Sequence, residues 1–203
     1  MDDASLFRTA ADTLAGEGWC VLNGLLTAAQ TRALADECAA LYAARRLAPA
    51  RVGATHMATE LRGDRTQWFD PAAPSGPQQA FLTRIDALRR ALNRELMLGL
   101  VESEAHYAVY APGARYARHL DRLRDDDARV LSAVFYLNEG WQEADGGALR
   151  LYRGDGTHRD ILPHAGTLLL FLSARFEHEV LPATRDRLSI PCWMRQRSPD
   201  RAV

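Results

Sequence analysis

The chain has 203 residues, of which 47% are hydrophobic, and 25 basic residues against 26 acidic ones give a formal charge of −1. This length supports one well-buried core and is too short for two ordinary domains, so we expect residues 1–203 to form a single domain. Because the chain is nearly neutral, it has no overall basic field to hold nucleic acid or an anionic membrane, and a polyanionic partner would need a local basic patch.

All 25 basic residues are arginine, and the sequence contains no lysine. This composition is typical of GC-rich bacterial coding. It excludes Schiff-base chemistry by lysine and the lysine of a phosphate-binding P-loop. Any carboxylate anchored in a pocket of this protein must therefore be bound by arginine.

The cysteines and the terminus bear on location. Cys20, Cys38 and Cys192 include no closely spaced pair, which argues against a disulfide framework and a zinc ribbon. The first residues lack the basic and apolar segments of a secretory signal, and no run approaches the ~18 apolar residues of a membrane span. We therefore expect a cytoplasmic protein without membrane contact.

The first hundred residues are predicted to be mostly helical. A helix is expected from about Ala4 to Ala15 and is followed after Gly18 by a β-rich run, Trp19–Leu22; further helices begin near Thr27 and after Pro77. Apolar residues recur in the last two helices at intervals of three and four, which is the spacing of one helix face. These stripes are Leu34, Cys38 and Leu41, and Phe81, Ile85, Leu88, Leu92 and Leu96.

The second half is predicted to be mainly β. Turn residues such as glycine, aspartate, asparagine and proline separate short β-like runs. The runs are Tyr107–Tyr110, Arg115–Asp121, Val130–Leu137, Ala148–Tyr152, Asp160–Leu162, Thr167–Leu172, Glu179–Pro182 and Arg187–Trp193. About eight short strands at this spacing predict a β-sandwich or jelly roll over residues 101–197, with residues 1–100 as helical support packed against it.

A metal-binding pattern lies inside this β region. Side chains two residues apart on a strand share one face, so His119 and Asp121 can bind one ion while Leu120 packs behind them. An antiparallel strand bringing His178 to the same point would complete two imidazoles and one carboxylate, which is the ligand set of non-heme Fe(II) oxygenases. The alternative is a surface strand with a polar face and a chance spacing.

The other histidines fit a ligand role less well. They are expected beside turns or loops: His56, His106, His158 and His164. His158 does have Asp160 two residues on, but this pair follows a Gly-Asp-Gly-Thr turn and is interpreted as a solvated hairpin arm.

The last β-run carries a candidate anchor for an anionic cofactor. With a period of two, Arg187, Ser189, Pro191 and Trp193 share one face of this strand. A surface position is the alternative for Arg187 as for Arg185. A buried role is favoured because a dicarboxylate cofactor needs a fixed cation at its far end, and arginine forms bidentate pairs with carboxylates.

With these residues placed, the chain resembles the prolyl-hydroxylase branch of the 2-oxoglutarate and Fe(II)-dependent dioxygenases. It is most similar to hypoxia-inducible-factor prolyl hydroxylases and their bacterial relatives, including those that hydroxylate elongation factor Tu. The resemblance runs from about Glu60 to Arg195 and depends on the order and spacing of several strings. These strings are Leu61–Trp68, Tyr110–Asp121, Arg129–Asn138, Gly146–Tyr152 and His178–Ala183.

The resemblance implies a double-stranded β-helix (jelly roll) packed against N-terminal helices, and it implies a role for each matching residue. The implied iron ligands are His119, Asp121 and His178. The implied 2-oxoglutarate contacts are Arg187, Tyr136, Tyr110, Leu149 and Val180. The implied substrate contacts are Arg129, Trp193, and Arg62 and Asp64 of the segment flanking the active site.

The chain also departs from the family pattern. Pro191 stands where the hypoxia-sensing enzymes have a polar residue near the cofactor, so the resemblance implies one cofactor contact fewer. Asp125–Asp127 lengthen the turn after the ligand pair and make it more acidic, which bears on peptide specificity. Because Asp121 is retained as a carboxylate, the halogenase variant, in which this ligand is lost, is disfavoured.

The expected function is hydroxylation of a prolyl residue in a protein substrate, with elongation factor Tu as one candidate. Fe(II), 2-oxoglutarate and O₂ are the expected cofactor and co-substrates, with ascorbate as a candidate reductant. An arginine-rich rim is expected to bind the peptide and consists of Arg115, Arg118, Arg122, Arg124 and Arg129. The alternatives are a hydroxylase of a free amino acid or other small molecule, and a metal- or ligand-sensing jelly-roll protein without turnover.

Overall fold

The computed structural model describes residues 2–50, 61–121 and 128–197. These residues form three α-helices, α1 (Asp3–Glu17), α2 (Ala28–Ala43) and α3 (Gly76–Leu96), and a 3₁₀ turn at Glu143–Asp145. They also form eleven strands: β1 (Trp19–Asn23), β2 (Ala48–Pro49), β3 (Asp64–Trp68), β4 (Glu102–Tyr110), β5 (Tyr116–His119), β6 (Arg129–Tyr136), β7 (Leu149–Tyr152), β8 (His158–Ile161), β9 (Thr167–Leu172), β10 (His178–Val180) and β11 (Arg187–Arg195).

The helix ends follow local sequence signals. Helix α1 ends at Gly18, which adopts a φ of 79°, a left-handed conformation open to glycine at little cost. Helices α2 and α3 each begin with a capping box, in which Thr27 and Ser75 exchange hydrogen bonds with the glutamines three residues later. The helix expected after Pro77 begins two residues earlier, at Gly76, because Ser75 caps it.

The strands form two antiparallel sheets. The large sheet has the order β1-β9-β6-β11-β4-β3-β2, and the small sheet has the order β5-β10-β7-β8. All eight predicted β-runs of the second half correspond to strands, β4 to β11. The predicted jelly roll packed against N-terminal helices is confirmed. The first hundred residues also supply β1, β2 and β3 to the large sheet, and the single-domain boundary stays a prediction.

The core lies on both faces of the large sheet. Phe81 of α3 is fully buried against Phe69 and Phe135, and burying such a side chain stabilises the fold by roughly 1.5–3 kcal/mol. A second cluster, including Tyr136 and Phe171, lies between the two sheets. Along β4, Tyr107 therefore faces the helices while Tyr110 faces the space between the sheets.

Three local expectations are wrong. β5 ends at His119, so Asp121 lies in a bend beyond the strand. Leu120 does not pack behind the ligand pair but is 37% exposed. His106, expected beside a turn, is fully buried within β4, because this strand begins five residues earlier than its predicted run.

The remaining local expectations concern a hairpin arm, membrane-spanning helices and residues outside the described ranges. His158 and Asp160 are exposed on β8, as expected of a hairpin arm. No described helix is both long and apolar enough to cross a membrane. Several predictions lie outside the described residues: those for His56, the turn at Asp125–Asp127, and the rim residues Arg122 and Arg124.

Candidate metal centre and cofactor pocket

Two strands of the small sheet bring the predicted ligands together. β5 and β10 pair antiparallel with His119 directly opposite His178, and the ring centroids are 4.2 Å apart. Asp121, two residues past His119, turns back toward both rings. One donor atom from each of the three side chains lies within 4.8 Å of the others. This donor set fits a metal ion bound from one side.

The imidazoles are held with their Nε2 atoms toward the centre of the cluster. The Nδ1 atom of His119 is 2.7 Å from the Ala117 carbonyl oxygen, and that of His178 is 3.3 Å from the Phe176 oxygen. A carbonyl oxygen can only accept, so Nδ1 carries the proton and Nε2 offers a lone pair. Burial lowers the pKa of His178 to about 4, which keeps this ring neutral at neutral pH.

The third group, Asp121, is 9% exposed and accepts a hydrogen bond from a strand of the large sheet. Ser132 on β6 donates a hydrogen bond of 2.6 Å to its Oδ2, and the Ser173 hydroxyl lies 2.9 Å from that of Ser132. Burial alone would raise the pKa of Asp121, but the polar groups around the carboxylate, among them the Ser132 hydroxyl that donates to it, outweigh burial and hold the pKa below its usual range. The carboxylate is therefore ionised and ready to bind a cation.

A buried cation occupies the other end of the site. Arg187 is 1% exposed, and its Nε donates to the Gly147 carbonyl oxygen at 2.7 Å and its Nη1 to Ser189 at 3.3 Å. Its Nη2 has no hydrogen-bond partner, and neither has the buried hydroxyl of Tyr136. Burial raises the pKa of Tyr136 to about 12, so the hydroxyl keeps its proton and can donate.

These unpartnered donors suit a ligand with negative charge. A buried guanidinium without an acidic partner is costly, and no acidic side chain of residues 2–50, 61–121 or 128–197 pairs with Arg187. The guanidinium carbon also lies 5.4 Å and 5.2 Å from the ring centroids of Tyr110 and Tyr136. A carboxylate group of a cofactor satisfies both the charge and the free donors.

One cavity joins the two ends. It is lined by the three ligand candidates, by Arg187, and by Tyr110, Leu149 and Val180. The β11 face predicted from its period of two is present in full, since Arg187, Ser189, Pro191 and Trp193 all contribute to the lining. Tyr136 lies beside Arg187 and does not itself line the cavity.

The residues expected to contact substrate fall into two groups. Arg62 and Trp193 line the cavity. Asp64 is buried and forms a two-bond ion pair with Arg62, at 2.7 Å and 3.0 Å, which positions the arginine instead of facing the open space. Arg129 also does not line the cavity. Its guanidinium group lies over Trp193, with the carbon 3.9 Å from the ring centroid, and forms an ion pair with Glu104.

Several neighbours of the ligands were not predicted from the sequence. Tyr116 stacks on His119 with the ring centroids 3.7 Å apart, and Phe171 contacts His178 edge-on at 4.7 Å. Ser132 was also missed, although it shares a strand face with Tyr136 by the period of two. Ser173 lies beyond the end of β9 and carried no sequence signal.

Comparisons with known proteins bear on the family. The family model described as the 2OG-Fe(II) oxygenase superfamily matches residues 105–195. The human prolyl hydroxylase EGLN3 is 31% identical over 191 residues, which cover 90% of this chain and 75% of that protein. This chain belongs to the 2OG-Fe(II) oxygenase superfamily. The family description names Fe(II) and 2-oxoglutarate, and the donor cluster and the free Arg187 donors fit these two groups.

Solved structures place prolyl hydroxylases among the relatives of this oxygenase. A crystal structure of a Pseudomonas putida prolyl-4-hydroxylase has a TM-score of 0.86 and 47% identity, covering 95% of this chain and 100% of the other. A Trichoplax adhaerens prolyl hydroxylase in complex with a hypoxia-inducible-factor peptide has a TM-score of 0.87 and 25% identity, covering 95% and 90%.

The longer curated relatives extend beyond the matched region. The hypoxia-inducible-factor prolyl hydroxylase of Caenorhabditis elegans is 30% identical over 195 residues, 89% of this chain. This oxygenase spans 27% of the length of that relative and 43% of the human Egl nine homolog 1.

Proposed function

We propose that this oxygenase hydroxylates a prolyl residue of a protein substrate and converts 2-oxoglutarate and O₂ to succinate and CO₂. One observation carries the proposal: two histidines and an aspartate meet at one end of a cavity whose other end holds a buried arginine with a free donor. The prolyl hydroxylases among its relatives support the choice of substrate.

The chain offers a distinct group for each task. His119, Asp121 and His178 would hold the metal, while Arg187 and Tyr136 would bind the distal carboxylate of 2-oxoglutarate. When bound, Fe(II) and 2-oxoglutarate supply the oxidation, and the protein supplies position, charge and exclusion of water. Their arrangement fixes where the substrate carbon must lie, which is next to the ligand cluster.

The cavity walls favour a dry site. Leu149 and Val180 are buried apolar residues that line the cavity from the small sheet, and Tyr110 lines it from the large sheet. Their side chains would pack against the carbon chain of 2-oxoglutarate and exclude bulk water. Exclusion of water strengthens the pairing of Arg187 with a carboxylate, because charge interactions grow as the local dielectric falls.

The cavity rim suits an extended peptide. Arg62 is fixed by Asp64 and lies 4.9 Å from the Tyr116 ring centroid, and Arg129 is stacked on Trp193. Two held guanidiniums beside an apolar opening would bind peptide carbonyls or acidic side chains near the target proline. The neighbouring Trp68 is 52% exposed and extends the aromatic surface.

The test is coupled turnover with a peptide. We expect succinate formation and a +16 Da prolyl product from the iron-loaded protein, and loss of both in His119→Ala. The matched control is His158→Ala, since His158 is exposed on β8. Equal turnover by both variants would contradict the metal assignment. Turnover with free proline and none with any peptide would replace the protein substrate by a small molecule.

Finer assignments are part of the same proposal. We infer elongation factor Tu as the first protein to test, a cytoplasmic location in a bacterium, and ascorbate as the reductant that keeps the iron ferrous. The lysine-free composition supports the bacterial origin. Incubating iron-loaded protein and His119→Ala with a bacterial lysate, then mapping +16 Da prolines, tests the substrate; repeating the assay without ascorbate tests the reductant.

A further inference from the structure

The carboxylate of Asp121 faces both imidazoles. Its Oδ1 lies 3.6 Å from Nε2 of His119, and its Oδ2 lies 3.6 Å from Nε2 of His178. By these distances alone, the side chain could bind a metal through either oxygen or through both. Something else must decide how many oxygens it offers.

The hydrogen bonds of Ser132 break this symmetry. An ionised carboxylate only accepts, so the single proton of Ser132 is donated to Oδ2 of Asp121. The Ser173 hydroxyl, 2.9 Å from that of Ser132, must then be the donor in the second bond. The result is a one-way chain from Ser173 to Ser132 to Asp121.

The two serines are held by backbone hydrogen bonds of the large sheet, whereas Asp121 lies beyond the end of its strand. Ser132 lies within β6, opposite Phe171 of β9, and the backbone N–H of Ser173 donates to the Val130 oxygen. Both hydroxyls are buried, at 1% and 0% exposure. Asp121 lies in a bend past the end of β5, so the bond to Ser132 ties it to the large sheet.

We propose that Ser132 is a positioning residue that makes Asp121 bind the metal through Oδ1 alone. This inference rests on the ligand set of the proposed function. With two imidazoles, a one-oxygen carboxylate leaves three positions of an octahedral ion free, whereas a two-oxygen carboxylate leaves two. 2-Oxoglutarate, which carries a keto oxygen beside a carboxylate, would take two of these positions. Only the one-oxygen arrangement leaves a further position open.

Three variants test the proposal. Ser132→Ala removes the bond to Oδ2, Ser132→Thr keeps a hydroxyl at the same position, and Ser173→Ala removes only the outer donor. Crystals of each, loaded with redox-inert Mn²⁺ and 2-oxoglutarate, show how many Asp121 oxygens bind the metal. We expect two in Ser132→Ala and one in the wild type and the other two variants.

Kinetics give a second readout. Loss of a group that orients a metal ligand typically costs 10–100-fold, so we expect kcat of Ser132→Ala to fall by roughly that factor. Its KM for 2-oxoglutarate should stay near the wild-type value because Arg187 is unchanged. Ser132→Thr should recover most of kcat, and Ser173→Ala should lose little, since a neighbouring bond strengthens another by only about 10–30%.

The outcomes separate this inference from the proposed function. If wild-type crystals place Mn²⁺ away from His119, Asp121 and His178, the ligand set itself is wrong. If the ligand set holds but Ser132→Ala keeps a one-oxygen carboxylate, or keeps wild-type kcat, the role of Ser132 is overturned. Thermal unfolding of the metal-free variants shows whether a loss of kcat reflects a loss of folded protein.

Discussion

Replacing Arg187 by methionine should abolish tight binding of 2-oxoglutarate. The methionine keeps an unbranched side chain but removes the buried cation and its unpartnered Nη2 donor. Hydrogen bonds to charged groups contribute about 1.5–3 kcal/mol each, so losing a two-bond pair with a carboxylate costs roughly 3–6 kcal/mol. This range corresponds to a rise in Kd of about 100-fold to 10⁴-fold.

Calorimetric titration of 2-oxoglutarate into the Mn²⁺-loaded protein measures this Kd without turnover. The matched control is Arg185→Met, two residues earlier, whose side chain is 44% exposed and pairs with Asp145 on the surface. We expect wild-type affinity from the control. A rise in Kd of less than tenfold for Arg187→Met, or ~1.4 kcal/mol, would refute the role of the buried guanidinium.

Thermal unfolding checks the same reasoning independently. A ligand that binds only the folded state adds RT ln(1 + [L]/Kd) to its stability, or ~2.7 kcal/mol at a concentration of 100 Kd. The wild-type protein should therefore gain this stability from 2-oxoglutarate, and Arg187→Met should gain almost none at the same concentration. Equal stabilisation of both proteins would show that the distal carboxylate is bound elsewhere.

Three further predictions concern a buried histidine, the glycine beside Arg187 and the core. Burial lowers the pKa of His106 from 6.5 to about 4, so the unfolded chain binds one proton more than the folded protein between these pH values. The free energy of unfolding should therefore fall by roughly 3 kcal/mol from pH 7 to pH 4 because of this histidine. Urea unfolding of His106→Phe should show a pH-dependent loss that is smaller by this amount. Gly147→Ala should weaken 2-oxoglutarate binding in the calorimetric titration. The φ of Gly147 is +67°, and a Cβ at this position would lie 2.9 Å from Ala183 Cβ and 3.3 Å from Arg187 Cδ. Gly154→Ala is the control, because a Cβ at Gly154 would meet open space. Phe81→Ala should lower the unfolding free energy in urea by about 3–5 kcal/mol, since its side chain is fully buried.

Sequence periodicity predicted the parts of the site that lie within long strands. The period of two placed Arg187, Ser189, Pro191 and Trp193 on one face, and all four line the cavity. β11 pairs along its length with β4 and β6, so its alternation continues without interruption over this face. Because β11 is paired on both sides, alternate residues in its sequence form one wall of the cavity.

The same reasoning failed where a strand ends. His119 and Asp121 were expected on one strand face, but β5 stops at His119 and its partner β10 has three residues. Little backbone pairing remains to extend the alternation to Leu120, whose side chain faces solvent instead of packing behind the ligands. Asp121 reaches the cluster through a bend, and no local pattern in the sequence specifies such a turn.

The two ends of the site belong to different sheets. His119 and His178 lie on the small sheet, whereas Arg187 and Ser132 lie on the large sheet. Asp121 connects them before any ligand binds, through its bond to Ser132. A metal and 2-oxoglutarate bound together would add a further connection between the sheets, so each should strengthen binding of the other by more than their direct contact alone.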